Sequence, residues 1–316
     1  MTRPENIEST RDNEPETAPE KGERPEKGER IAKVIARAGI CSRREAERLI
    51  AAGRVELDGR RLDSPAVTVT AAQRIVIDGE LLPAPAPARL WRYHKPTGLI
   101  TSARDPQGRP TVFEALPPDL GRLLSVGRLD MNSEGLLLLT NDGALKRRLE
   151  LPANAWTRRY RARVHGRPDP RKLADLAQGV RVDGIDYGPI RAELERQTAS
   201  NAWLKMALTE GKNREVRKVL EHLGLAVNRL IRVAYGPFQL GRLPRGAVDE
   251  VPGQVLAEQL GQSSGRKIGT AKAKPKPVRP GGKRPGGRKP GPSKAKRGQS
   301  GAVTTGAKHA HRRRPS

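Results

Sequence analysis

The stretch Ser125-Val126-Gly127-Arg128-Leu129-Asp130-Met131-Asn132-Ser133-Glu134-Gly135-Leu136-Leu137-Leu138-Leu139-Thr140 decides how this chain is read. It sets one aspartate two residues after an arginine, then enters four consecutive leucines. An apolar run of this length, closed by Asn141-Asp142-Gly143, predicts a buried strand followed by a turn. A carboxylate is thereby fixed at the edge of a core. In a very basic chain, that placement points to chemistry on a polyanion.

The composition supports this. The chain has 316 residues and a formal net charge of +26, which allows a sizeable core and roughly one to three domains. Residues 1–29 carry 5 Lys/Arg against 9 Asp/Glu, residues 261–316 carry 17 Lys/Arg and no acid, and the middle keeps a net +13. An excess of that size attracts phosphate backbones and binds them through counterion release, so a nucleic-acid partner is expected over a merely solvated surface. Cys41 is the single cysteine and cannot form an intrachain disulfide; a small buried thiol in a reducing compartment is expected. No early apolar run has the form of a signal peptide, and no apolar stretch is long enough to span a membrane. A cytoplasmic protein is the expectation.

Residues 1–29 and 261–316 lack the apolar content to offset their ordering entropy and are expected to be disordered. Residues 30–83 read as a small module. Ile31, Val34, Ile35 and Ala38 fall at helical spacing, with Gly39 as a stop. Ser42 and Glu45 form a capping box before a second helix whose core face is Ala46, Leu49 and Ile50. Val55-Glu56-Leu57 reads as a strand, Asp58-Gly59 as a hairpin turn, and Arg74 to Gly79 repeats the pattern. Arg37, Arg43, Arg44 and Arg54 stud this module and make it a basic platform.

Pro83-Ala84-Pro85-Ala86-Pro87-Ala88 is a stiff extended spacer, and residues 84–88 are taken as a linker. Beyond it, strands are expected at 90–94, 125–126, 136–140, 160–164, 203–208 and 230–233, with helices at 144–149 and 212–223. Strands and helices mix without regular alternation, so an α+β domain is expected rather than a doubly wound sheet.

Gly-Arg-Leu-Asp alone is a weak signal, and a turn aspartate or a surface ion pair would explain Asp130 equally well. Other segments raise it. Tyr93-His94-Lys95-Pro96-Thr97-Gly98, Asp105 to Phe113, Thr157-Arg158-Arg159-Tyr160-Arg161-Ala162 and Glu210-Gly211-Lys212-Asn213-Arg214-Glu215-Val216-Arg217-Lys218-Val219 follow in order. Together with the Asp130 stretch they resemble the successive motifs of the RNA pseudouridine synthases. Order and spacing resemble the branch called the RsuA/RluB family, bacterial ribosomal RNA pseudouridine synthases. Ala36 to Ala46 followed by Gly53 to Gly59 resembles the S-four-type RNA-binding domain, which that branch carries in front. The resemblance covers residues 30–260.

The resemblance implies a small S-four-type domain at 30–83 and, at 89–260, a mixed, mainly antiparallel sheet with flanking helices. It implies isomerisation of uridine to pseudouridine in ribosomal RNA, without a cofactor or metal. Asp130 would attack the ribose as a nucleophile or remove a ribose proton to give a glycal; both routes stay open. Arg217 would be its charge partner, with Arg214 next on the same helical face. Tyr160 would stack on the extruded base, with its hydroxyl as a candidate for removing the ring proton in the last step, and Arg128 would fill the space that base leaves. Lys95 and Lys212 are taken as phosphate contacts. Large-subunit rRNA is the expected substrate, with small-subunit rRNA the alternative, and the protein is expected to be a monomer. A noncatalytic RNA-binding assembly factor would need no such trio as Asp130, Tyr160 and Arg217. A hydrolytic nucleosidase would call for a second acid to activate water.

Overall fold

The computed structural model describes residues 28–261. The disorder expected at 1–29 and 261–316 therefore falls on residues outside the described part, apart from Gly28, Glu29 and Gly261. Glu29 lies on strand β1 (Glu29–Arg30), which pairs antiparallel with β4 (Thr68–Val69).

The N-terminal module forms as its local signals dictate. Helix α1 spans Ile31–Arg37 and α2 spans Arg43–Ala51; the Ser42 hydroxyl accepts the Glu45 backbone N–H at 3.1 Å, closing the expected cap. Strands β2 (Val55–Leu57), β3 (Arg60–Arg61), β5 (Ile75–Ile77) and β6 (Glu80–Leu81) make a four-stranded sheet. Both hairpins turn on Asp-Gly pairs with positive φ, 51° and 79° at Asp58-Gly59 and 52° and 84° at Asp78-Gly79, the geometry of a type I′ turn. Ile31, Ile35, Ala46, Ile50, Val55, Val69 and Ile75 form one core. Cys41 is half-buried rather than buried, and burial pushes its thiol pKa up.

The larger sheet has nine strands: β7 (Leu90–Lys95), β8 (Leu124–Val126), β9 (Ser133–Thr140), β10 (Arg158–His165), β13 (Ile190–Gln197), β14 (Asn201–Leu208), β15 (Ala226–Tyr235), β16 (Phe238–Gln239) and β17 (Val248–Glu250). Their order is β13-β14-β10-β15-β9-β7-β17, with β8 on β9 and β16 on β15. Every pairing is antiparallel except β15 with β9, where Leu230, Ile231 and Arg232 run parallel to Ser133, Glu134 and Gly135. Two antiparallel halves thus meet at one parallel seam. Gly135 makes the seam possible. It sits at φ +105°, and a Cβ there would collide with the Arg232 carbonyl and lie 2.7 Å from the Arg232 backbone nitrogen.

The leucine run of β9 is buried on both faces. Leu136 and Leu138 pack with Leu145 and Leu149 of α3 (Gly143–Glu150) and with Leu256 of the C-terminal helix (Gly253–Gln259), while Leu137 and Leu139 pack with Trp91, Tyr93, Val112 and Leu129. That double burial explains why the run does not alternate. In the other half, Leu204, Met206 and Leu208 of β14 pack against Leu173 of α4 (Pro170–Asp175) and Val216, Val219 and Leu220 of α5 (Glu215–His222).

Each strand expected in this region is present, extended by one to four residues at one end or both. The edge strand β13, the short hairpin β11 (Val180–Val182) with β12 (Ile185–Tyr187), α4 and the C-terminal helix α6 go beyond the sequence reading. Helix α5 begins at Glu215, three residues later than expected, because Arg214 adopts a left-handed conformation at φ 51°. Arg214 therefore does not share a helical face with Arg217.

Candidate active site

The site is built on the loop 127–132 between β8 and β9, at the seam between the halves. Cations clamp this loop through its backbone. Lys95, at the end of β7, is fully buried. Its Nζ donates to the carbonyls of Pro96 (3.0 Å), Asp130 (3.1 Å), Met131 (3.4 Å) and Ser133 (2.9 Å). Arg232 Nη1 donates to the Arg128 carbonyl at 3.2 Å, and Arg217 Nη2 to the Asn132 carbonyl at 2.9 Å. The Thr101 hydroxyl donates to the Leu129 carbonyl at 2.8 Å, and the Gly127 N–H donates to Glu150 Oε1 at 2.6 Å. A loop with its carbonyls held from several directions has little freedom, so the Asp130 side chain is aimed rather than mobile.

Two expectations change here. Lys95 is no phosphate contact: it is sealed from solvent and spends its protons on four carbonyls. Burial pushes its pKa down to about 8, against the opposing charges of Asp130 and Glu134. Arg217 is close enough to feel the Asp130 charge but makes no ion pair with it within 4.0 Å; it bonds the carbonyls of Asn132 and of Val227 (3.1 Å). Burial chiefly lowers the Arg217 pKa, and the neighbouring Arg214 lowers it further. Among the described residues, the half-buried Asp130 carboxylate has no hydrogen bond or ion pair of its own.

Asp130 opens into a cavity of about 260 Å³ whose walls include Arg128, Tyr160, Leu208, Glu215 and Arg232. Tyr160 lies on β10 just past a bulge, opposite Arg232 of β15, and its half-buried ring packs against the cores of both halves. The fold thus brings Asp130, Tyr160, Arg128, Lys212 and Arg214 together around one space, with Arg217 bonded to the Asn132 carbonyl of the loop. Beside it lies a wider mouth of about 730 Å³, lined by Arg104, Arg109, Arg128, Lys146, Lys212 and Arg214. Lys212 is paired with Glu210 at 2.7 Å and donates to the Asp186 carbonyl at 2.6 Å. Arg128 and Arg214 have no carboxylate within 4.0 Å among the described residues and are exposed. On the N-terminal module, Arg37 pairs with Glu29 at 2.7 Å and Arg54 grips Asp78 through two bonds of 2.7 and 2.6 Å. Arg43 and Arg44 are exposed, without a carboxylate partner among the described residues.

Three buried charged residues escaped the sequence reading. Arg232 is 2% exposed, donates from Nε to the Leu136 carbonyl at 2.7 Å, and leaves Nη2 buried without a partner. Glu215 is buried and accepts the Lys212 N–H at 2.8 Å; burial, with Glu210 adding, pushes its carboxyl up to about 7. Glu134 is buried within the leucine strand and is neutralised by Arg229 and by Arg245, the latter at 2.6 Å. The available signal was a charge inside an apolar strand, Arg232 after Leu230-Ile231 and Glu134 before the leucines. Among the described residues no group of three or more His, Cys, Asp or Glu is placed to hold a metal, and no helix is long and apolar enough to cross a membrane.

An aspartate without a partner at the edge of a one-base cavity, with arginines at the mouth, fits the class of enzymes that work on a single nucleotide lifted out of RNA. Residues 89–222 match the RNA pseudouridylate synthase family, and residues 29–75 match the S4 domain. An uncharacterised RNA pseudouridine synthase of Rickettsia prowazekii is 46% identical over 230 residues, covering 73% of this chain and 97% of that protein. The ribosomal large subunit pseudouridine synthase B of Salmonella typhi is 43% identical over 228 residues, covering 70% and 78%. A crystal structure of a pseudouridylate synthase superposes with a TM-score of 0.52 at 27% identity, covering 73% of this chain and 99% of the other. The chain belongs to the RNA pseudouridine synthases.

Proposed function

We propose that this protein isomerises a specific uridine to pseudouridine in large-subunit ribosomal RNA, with Asp130 as the reacting carboxylate. The observation that carries the reading is the Asp130 loop: several donors fix its backbone and none occupies the carboxylate. The large-subunit assignment rests on the similarity to the Salmonella typhi protein named for that activity.

In this reading residues 30–83 hold structured RNA, 84–88 link, and 89–260 carry the chemistry. The target uridine leaves its stack and enters the cavity; the exposed Arg128 fills the vacated position, and Arg43, Arg44 and Arg214 hold phosphates. The Tyr160 ring supports the base, a contact of about 1–3 kcal/mol in single-strand binders. Asp130 then either bonds to C1′ or removes the C2′ proton. In both routes the bond from C1′ to N1 breaks, the ring turns, a bond from C1′ to C5 forms as Asp130 is displaced from C1′ or returns its proton to C2′, and the C5 proton leaves while N1 takes one up. Nothing is oxidised or hydrolysed, so this chemistry needs neither a redox cofactor nor a metal. The protein works as a monomer in the cytoplasm, where ribosomes assemble.

Pseudouridine mapping of rRNA from cells lacking the protein tests this. One large-subunit site is expected to lose its modification, to regain it with the wild-type chain and to stay unmodified with Asp130→Asn. An unchanged map, in cells without a redundant enzyme, would overturn the synthase reading. A small-subunit site would move the substrate, and rescue by Asp130→Asn would leave an RNA-binding assembly role.

A further inference from the structure

The Asp130 loop is surrounded by more buried positive charge than one carboxylate balances. Lys95 is fully buried, Arg232 is 2% exposed and Arg217 is 7% exposed. Glu134 is already neutralised by Arg229 and Arg245, Glu150 is engaged with Lys146, and burial raises the Glu215 carboxyl to about 7. Of the three buried cations only Arg232 lines the cavity. Its Nε and Nη1 are committed to the carbonyls of Leu136 and Arg128, its guanidinium lies 5.4 Å from the centre of the Tyr235 ring, and its Nη2 has no partner. An orphaned, buried N–H on a charged group is costly. Arg232 lines the reaction cavity, so the charge of this guanidinium stands in the wall against which a base would rest.

We infer that Arg232 is a further catalytic residue, whose guanidinium in the cavity wall holds the negative charge of the uracil ring after that ring leaves the sugar. This role rests on the synthase reading above. When the bond from C1′ to N1 breaks, its electron pair goes to the base and spreads onto the ring oxygens. Protonating N1 would give neutral uracil, a poor carbon nucleophile at C5. A guanidinium stabilises the anion without surrendering a proton, because it is not deprotonated in proteins. The detached ring thus keeps the charge it needs to attack C1′ through C5. Fixed by two backbone bonds before the substrate arrives, Arg232 requires no reorganisation as the charge develops.

The test uses the full chain and a large-subunit rRNA transcript carrying the mapped target, made with uridine or with 5-fluorouridine. Fluorine stabilises the departing anion and lessens the need for a protein cation. Single-turnover loss of the original nucleoside is read after nuclease digestion. On uridine, Arg232→Gln is expected to be slower by about 10²-fold, the scale of removing one preorganised donor, with RNA affinity unchanged. On 5-fluorouridine that deficit is expected to shrink several-fold. Arg232→Lys keeps the charge but not the fork, and carries the test if the glutamine variant melts early. Its smaller deficit on uridine is expected to shrink in the same way. Equal deficits on the two substrates in a folded variant overturn the role of Arg232. A wild-type chain that leaves uridine unconverted overturns the synthase reading instead.

Discussion

At Lys95 a four-carbon stem carries an ammonium from the end of β7 to the carbonyls of 130, 131 and 133, where no water reaches. Removing the ammonium leaves those carbonyls unsatisfied inside the protein. Lys95→Met is therefore expected to cost about 2–5 kcal/mol in urea unfolding and to lower kcat more than RNA affinity, because the Asp130 loop loses its clamp. The pH dependence is specific. Burial holds the Lys95 amine at about 8 in the fold against 10.5 ordinarily, so the unfolded chain binds that proton more tightly. Stability gains a contribution as pH rises from 8 towards 10.5, and the methionine variant should lack that gain. Glu215 behaves oppositely. Its carboxyl is raised from 4.5 to about 7, so its contribution is full below 4.5 and is lost as pH rises through 7. Glu215→Gln keeps an oxygen for the Lys212 N–H. It should be about 1–3 kcal/mol more stable than wild type at pH 8 and close to it at pH 5, measured by thermal melting. A variant less stable at both pH values would mean that the ionised carboxylate is needed.

Among the elements, the parallel seam between β9 and β15 is where the site depends on the sheet. It brings Arg232 beside Gly135 and the start of β9 under the Asp130 loop. Gly135→Ala puts a Cβ against the Arg232 backbone at a positive φ. It is expected to cost more than about 4 kcal/mol and to remove activity before RNA binding by the N-terminal module. Near-wild-type melting would show that the seam can open. The elements readable in advance were those with local signatures: the Ser42 cap, the two Asp-Gly hairpins and the leucine run of β9. Strand β13 was not readable, because it is a sheet edge with polar residues along most of its exposed length, so its pairing with β14 is decided by tertiary structure. The start of α5 was missed for a local reason, the left-handed Arg214. In the site, Asp130 and Tyr160, which line one cavity, were singled out by their motifs. The backbone-clamping roles of Lys95, Arg217 and Arg232 were not, because a cation that serves distant carbonyls looks in sequence like any surface lysine or arginine.

For the molecule as a whole, charge is distributed in a way that separates affinity from chemistry. The body carries its arginines around the cavity mouth and on the N-terminal module, while residues 261–316 add 17 Lys/Arg and no acid. Each phosphate neutralised releases counterions, so the logarithm of affinity falls with the logarithm of salt in proportion to the contacts made, with a slope near −0.7 per contact for single strands. Residues 261–316 bring 17 further cations for such contacts, and the described cavity is lined by residues of the body. Ending the chain after residue 261 should therefore weaken RNA binding most at low salt and make the salt slope shallower. It should leave kcat at saturating RNA within about twofold of wild type, since binding shared equally by ground and transition states does not change kcat. Arg128→Ala is the counterpart within the body. It removes one exposed charge at the mouth and should change the salt slope by less than about one unit. If Arg128 takes the place of the extruded base, the same substitution should lower kcat. Filter-binding titrations across salt, paired with single-turnover conversion, separate the two. A truncated chain that folds but has lost its chemistry would place the tail inside the reaction, and an Arg128→Ala variant with unchanged kcat would reduce that arginine to a phosphate contact.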